Sequence, residues 1–287
     1  MCEEGQVENW GNALTRRQIG ALGAAGAVAA CAPMAREGAA RGGSAIAGRA
    51  VSFATPDGSL DGEFFAAGKR KAPGVILWPD IAGIRPAKRQ MAARLAEAGY
   101  AVLLANPYYR DVKGQQFADF ADFAGNGGFE KVGPWRARFT TDTILADTRA
   151  AAAWLRQQKE VDTARGLGAQ GYCMTGSFAV VAPAATPELE AGASFHGGGL
   201  VKASDPKSPH KMIEATGRYL IAIARNDDAK SPGDKDALRA AAAAARAPAE
   251  IEVYPADHGW CVPDSPSYDQ AEAERAWGRL LALYETL

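Results

Sequence analysis

Two hydrophobic periods alternate along most of this chain. Short apolar runs at 75–77, 102–104 and 220–223 are too brief for helices, and their Val, Ile and Leu residues leave no polar face. They therefore predict strands covered on both sides, the pattern of a parallel sheet packed between helices. Further strands are predicted near 51–54, 62–67, 166–170 and 191–195, and the alternation Glu250-Ile251-Glu252-Val253-Tyr254 predicts a half-buried one. Helical spacing predicts helices at 87–98, 140–158, 173–182, 235–245 and 270–286, with Trp154, Leu155, Trp277 and Leu281 turned inward. Asp57-Gly58 supplies a hairpin-like turn between the first two strands. Strands alternating with helices in this order predict an α/β fold with a mostly parallel central sheet and helices on both faces. Residues 111–135, rich in Gly, Phe and Lys, fit neither period and read as a loop or cap over the sheet's functional end.

The first residues obey a different logic. Leu14-Thr15-Arg16-Arg17-Gln18-Ile19 leads into an Ala/Gly-rich apolar stretch at 19–32, short of the roughly 20 residues that span a membrane. Paired arginines before such a stretch predict a twin-arginine export leader. Val28-Ala29-Ala30-Cys31 resembles a lipobox, in which Cys31 would carry the lipid anchor; cleavage near Ala30 or Ala32 is the rival. The predicted organisation is an export signal with possible lipobox at 1–32, a flexible linker at 33–48 and one domain at 49–287. Such a protein would work in the periplasm or tethered to a membrane.

Composition excludes several function classes. Lys and Arg number 32 against 33 Asp and Glu, a net charge of −1, so no strong pull toward nucleic acid is expected and the partner is a small molecule. Of the 4 cysteines, Cys2 and Cys31 lie in the leader, leaving Cys173 and Cys261 in the domain. No C-x-x-C or metal-ligand spacing is present, so neither a disulfide framework nor a metal or other cofactor is expected.

The chemistry concentrates in Gly171-Tyr172-Cys173-Met174-Thr175-Gly176, placed between a predicted strand and a predicted helix. This reads as a nucleophile elbow, a sharp strand-to-helix turn whose small flanking residues lift the central side chain clear. Cysteine stands where serine is usual, and a strict G-x-C-x-G would put its second glycine at Thr175 instead of Gly176. A buried structural cysteine is the plain alternative. Downstream, the strand 218–224 opens into Arg225-Asn226-Asp227-Asp228, and the strand 250–254 into Pro255-Ala256-Asp257-His258-Gly259-Trp260. Nucleophile, acid and histidine thus follow in the chain order of α/β-hydrolases. His196 also follows a strand-like run and is read as a decoy, whereas His210 lies in a polar loop.

These motifs together resemble the dienelactone hydrolase family, the cysteine branch of the α/β-hydrolases, over roughly residues 45–287. Gly171-Tyr172-Cys173 is similar to the family's nucleophile motif and His258-Gly259-Trp260 to its terminal histidine loop. Trp78-Pro79-Asp80-Ile81-Ala82-Gly83 resembles the acidic loop beside the nucleophile, with aspartate where the family usually has glutamate. Asn106-Pro107-Tyr108-Tyr109-Arg110 resembles the loop that supplies a substrate-carboxylate arginine; the family's second such arginine falls on Val262 here.

The resemblance implies a Cys173-His258-Asp triad, Met174 and Ile81 amides as an oxyanion hole, Asp80 as a thiol-modulating acid and Arg110 as a substrate-binding residue. Counting from the strand end makes Asp227 the triad acid, while counting back from Pro232 makes it Asp228; Asp227 is favoured because the strand end fixes direction more firmly. For Asp80, a helix-capping role is the alternative, and for Arg110 a solvated surface position. The implied activity is hydrolysis of small esters or lactones through a thioester acyl-enzyme, without a cofactor. Two other classes stay open: an exported binding lipoprotein that keeps the scaffold without its chemistry, and a thiol redox protein using Cys173 and Cys261.

Overall fold

The computed structural model describes residues 46–68 and 70–287. The leader, the lipidation candidate Cys31 and most of the linker lie outside the described residues. Ile46, at the linker's end, already packs against the core.

Eight strands form one sheet in the order β1-β2-β4-β3-β5-β6-β7-β8. They are β1 (Arg49–Thr55), β2 (Gly58–Phe65), β3 (Gly74–Trp78), β4 (Ala101–Ala105), β5 (Leu167–Tyr172), β6 (Leu189–Phe195), β7 (Arg218–Ala224) and β8 (Ala249–Tyr254). β1 and β2 form the predicted hairpin at Asp57-Gly58, and β2 meets β4 antiparallel; from β4 to β8 every pairing is parallel. The α/β-hydrolase architecture expected from the sequence is the one observed.

Helices cover both faces: α1 (Pro86–Glu97), α4 (Thr141–Arg156), α5 (Gly176–Val181), α7 (Asp234–Ala245) and α8 (Gln270–Tyr284). Successive strand side chains point to opposite faces, and β3 shows the consequence. Val75 and Leu77 join the core under α1 and α8, while Ile76 and Trp78 join the core under α4 and α5. All five residues of β3 and of β4 are buried, which is why their sequences lack a polar alternation.

Two segments differ from the sequence reading. The segment 111–135 is largely helical, with α2 (Phe120–Gly125) and α3 (Gly128–Arg136), which runs one residue past it, held by ring contacts of Phe123 with Phe117, Phe120 and Phe129. The polar run after β7 is helical, α6 (Arg225–Lys230), where the sequence reads as loop.

Candidate active site

β5 is buried throughout and ends at Tyr172; Cys173 then adopts φ 54°, in the left-handed region that side-chain-bearing residues rarely enter. A single 3-10 turn, Cys173–Thr175, leads directly into α5. The displaced glycine has a steric reason. A Cβ at Gly176 would sit 2.5 Å from the Gly197 Cα and 2.5 Å from Ser194 Oγ, and one at Gly171 would overlap the Thr175 carbonyl. At 175 a side chain is accommodated and used: Thr175 Oγ1 accepts from the Tyr172 amide at 3.0 Å and lies within donating distance of the Pro79 carbonyl at 2.9 Å. The elbow is thereby fastened to the end of β3, the start of the Asp80 loop.

His258 follows β8 and is 5 % exposed. Its Nδ1 lies 2.6 Å from Asp227 Oδ2, and its backbone amide donates to Asn226 Oδ1 at 2.9 Å. Asp228 instead meets Lys235 Nζ at 2.7 Å. The separation follows from helical geometry: neighbours on α6 project about 100° apart, so only one of two adjacent aspartates can face the imidazole. Cys173, Asp227 and His258 all stand just beyond the C-terminal ends of parallel strands, β5, β7 and β8, at the end of the sheet where open α/β folds gather their functional loops. The loop after β6 adjoins two of them, because Gly198 N donates to the Cys173 carbonyl at 3.0 Å and the His196 ring lies 4.6 Å from the His258 ring.

The Ile81 loop is held from several directions. Asp80 Oδ1 accepts from Ala82 N at 3.0 Å, Gly83 N donates to Asp80 O at 2.9 Å, and Tyr108 Oη donates to the Ile81 carbonyl at 2.8 Å. The Tyr108 hydroxyl also lies 3.6 Å from Met174 Sδ, so one phenol touches both residues whose amides are the oxyanion candidates.

Asp80 is buried and forms a fork-to-fork pair with Arg85 at 2.7 and 2.9 Å, with Lys88 Nζ 2.9 Å away. Burial alone would push its carboxyl up, but Arg85 and Lys88 outweigh it and hold the group well below the usual carboxylate range. Arg85 reaches on to Asp264 at 2.7 and 2.9 Å, and Asp264 accepts from the Phe120 amide of α2 at 3.0 Å. The N-cap of α1 is Arg85, so the capping alternative for Asp80 does not apply. As a modulator of the thiol, Asp80 would have to act while engaged by two cations.

Arg110 requires a correction. Instead of lying solvated at the surface, it donates to Asp57 from Nε and Nη2 at 3.0 and 2.7 Å and to Asp147 from Nη1 and Nη2 at 2.7 and 2.8 Å. Its side chain is 8 % exposed, which is not the solvated surface arginine of the alternative reading. The pull comes from Asp147 on α4, whose carboxylate also accepts from Tyr109 Oη at 2.6 Å. Val262 is buried, and Cys261 is a free thiol that burial pushes up to about 12, protonated at neutral pH.

The sequence model of the dienelactone hydrolase family matches residues 60–287. The chain belongs to that family. A carboxymethylenebutenolidase from Rhodococcus opacus is 27 % identical over 219 residues, covering 74 % of this chain and 80 % of its own. A solved structure titled m3DLH shares 25 % identity at a TM-score of 0.69, covering 84 % and 98 % of the two chains. A dienelactone hydrolase-like promiscuous phosphotriesterase from metagenomic libraries shares the fold at a TM-score of 0.64 and 22 % identity, covering 84 % and 98 %.

Within this dienelactone hydrolase family member, a cavity of about 600 Å³ opens beside Met174 and Ser177. Phe139, Phe178, Arg136 of α3 and Lys202 are among the residues that line it, whereas Cys173, Asp227 and His258 are not. From the segment 111–135, Gly133 is among the lining residues. Sequence reasoning missed Arg85, Lys88, Tyr108, Thr175 and the contacts of His196. A hint existed only for Arg85, which immediately precedes the Pro that opens α1.

Proposed function

We propose that this hydrolase cleaves small ester or lactone substrates with Cys173 as nucleophile, His258 as base and Asp227 as the group that orients it. The observations that carry this reading are a cysteine held at φ 54° on a strand-to-helix turn and, at the same end of the sheet, a histidine bonded through Nδ1 to a carboxylate. A thiol of ordinary pKa is mostly protonated near neutrality and needs an adjacent base. With Nδ1 protonated toward Asp227, His258 Nε2 is the atom that receives the thiol proton. The sulfur attacks the carbonyl carbon, and the oxyanion is received by the Met174 and Ile81 amides. On collapse, the imidazolium gives its proton to the departing alkoxide, leaving a thioester on Cys173. Water then attacks the thioester, losing a proton to His258, and the carboxylic acid leaves as the thiol is restored.

With Arg110 committed to Asp57 and Asp147 and valine at 262, substrate selection falls to the cavity beside Met174. A flat or branched apolar group suits the Phe139 and Phe178 part of its lining. We further propose, on the sequence of residues 14–32 alone, that the chain is exported and that Cys31 is lipidated; labelled fatty acid absent from the wild-type chain in cells would refute the anchor.

The test is turnover of 4-nitrophenyl acetate and of a lactone panel, with mass spectrometry of the quenched enzyme. An acyl adduct on Cys173 that disappears in Cys173→Ala supports the reading. A wild-type protein with a reactive thiol and no ester or lactone turnover defeats it.

A further inference from the structure

β6 ends at Phe195, and the His196 amide donates to the Ala222 carbonyl at 2.8 Å, extending the contact with β7 by one residue. The chain then turns through φ 41° at His196. Among the described residues only Cys173 and Arg246 share a positive φ without being glycine; Arg246 ends α7, and Cys173 is the elbow. Glycine or asparagine would suit this backbone better, so the turn gives no reason for histidine.

Hydrogen bonding gives none either. The ring is 1 % exposed and neither nitrogen meets a partner on another described residue. Burial, with His258 and Lys88 nearby, pushes its pKa well below the ordinary value, so the ring is neutral. A backbone held in this region costs stability, and such costs gather where function requires them.

The ring contacts show what they serve. His196 lies edge-to-face on His258 with centroids 4.6 Å apart and planes at 62°, and edge-to-face on Trp260 at 5.3 Å. Trp260 in turn stacks on Tyr254, the fully buried last residue of β8, at 5.1 Å. An aromatic column thus runs from the sheet through Trp260 and His196 to the imidazole of His258.

We propose that His196 is a positioning residue: an uncharged ring that packs against His258 and fixes the plane in which Nδ1 meets Asp227. The decoy of the sequence reading becomes a support. Carbon and nitrogen edges serve equally for this packing, so the requirement is a flat, neutral ring.

Nitrogen-15 histidine labelling of the full-length protein tests this, since the chain holds only 3 histidines and each can be assigned by substitution. In the wild type, His258 is expected as a single tautomer protonated at Nδ1. His196→Asn suits the positive φ and should keep the melting temperature or raise it, yet mix the His258 tautomers. It should also lower kcat on 4-nitrophenyl acetate about 10-fold at unchanged KM. His196→Phe restores a ring and should recover the tautomer and bring kcat to within about 3-fold of wild type. If the phenylalanine chain does not fold at this φ, the asparagine variant decides alone. Unchanged His258 signals and kcat in His196→Asn overturn the proposal, as does a wild-type His258 already exchanging between tautomers. The kinetic arm rests on the hydrolase reading; a wild type without turnover defeats that reading, while the tautomer arm still judges His196.

Discussion

At the residue scale, the candidate site is a set of side chains each given one direction by its neighbours. Asp227 faces His258 and Asp228 faces Lys235, although the two are adjacent in sequence. Asp227→Asn should lower kcat/KM by about 10²- to 10⁴-fold, because the imidazole loses the partner that sets its tautomer. Asp228→Asn should leave turnover within about 2-fold and shift stability by no more than about 1 kcal/mol, the range for a partly exposed ion pair. Steady-state kinetics on the two variants, with chemical denaturation for Asp228→Asn, checks both. Equal, mild losses at the two positions would remove either from a triad. Thr175→Val should cost about 1–3 kcal/mol, since it strands the buried Tyr172 amide that the hydroxyl now satisfies; urea denaturation measures it. The motif Gly-Tyr-Cys was legible in the sequence because an elbow needs a small residue at a fixed offset. Why glycine falls at 176 was not, because the atoms it must avoid, Ser194 Oγ and the Gly197 Cα, come from β6 and its loop.

At the element scale, buried charge holds loops that the strands only deliver. Arg85 joins the Asp80 loop to Asp264 in the histidine loop, and Asp264 joins α2 through the Phe120 amide. Asp80→Asn leaves Arg85 and Lys88 without their shared carboxylate and should destabilise by about 3–5 kcal/mol. The sign of the pH effect follows from the lowered Asp80 pKa. Its contribution is complete above the unfolded value of about 3.9 and is lost as pH falls toward the folded value. Melting temperature against pH should therefore drop more steeply below about pH 4 in the wild type than in Asp80→Asn. Arg110 acts similarly on the other flank, tying the β1–β2 turn at Asp57 to Asp147 of α4. Arg110→Gln should cost about 3 kcal/mol by leaving Asp147 buried without its cation, with the same KM for anionic and neutral esters. A KM rise confined to anionic esters would restore the carboxylate-binding role. The sequence placed Arg110 on its loop correctly after β4; its partners were invisible because Asp57 and Asp147 are distant in the chain and meet it only in the folded sheet.

At the scale of the whole molecule, a mostly parallel sheet brings the ends of β5, β6, β7 and β8 to one edge, and residues from 173 to 258 converge there. The fold was readable because burial on both faces leaves continuous apolar strands and burial on one face leaves amphipathic helices, and both periods survive in a single sequence. Helix α6 was not readable: its six residues carry no apolar stripe, and none of them is buried. The sequence by itself determined the strand and helix alternation, the order of Cys173, the Asp227-Asp228 pair and His258, and the family resemblance, since each depends on residue type and spacing along the chain. Only the tertiary structure decided which aspartate meets His258, that Arg110 and Asp80 are held in ion pairs, and that His196 packs against His258. Those outcomes depend on distances between segments far apart in sequence, set when the sheet assembles, and no local pattern encodes them.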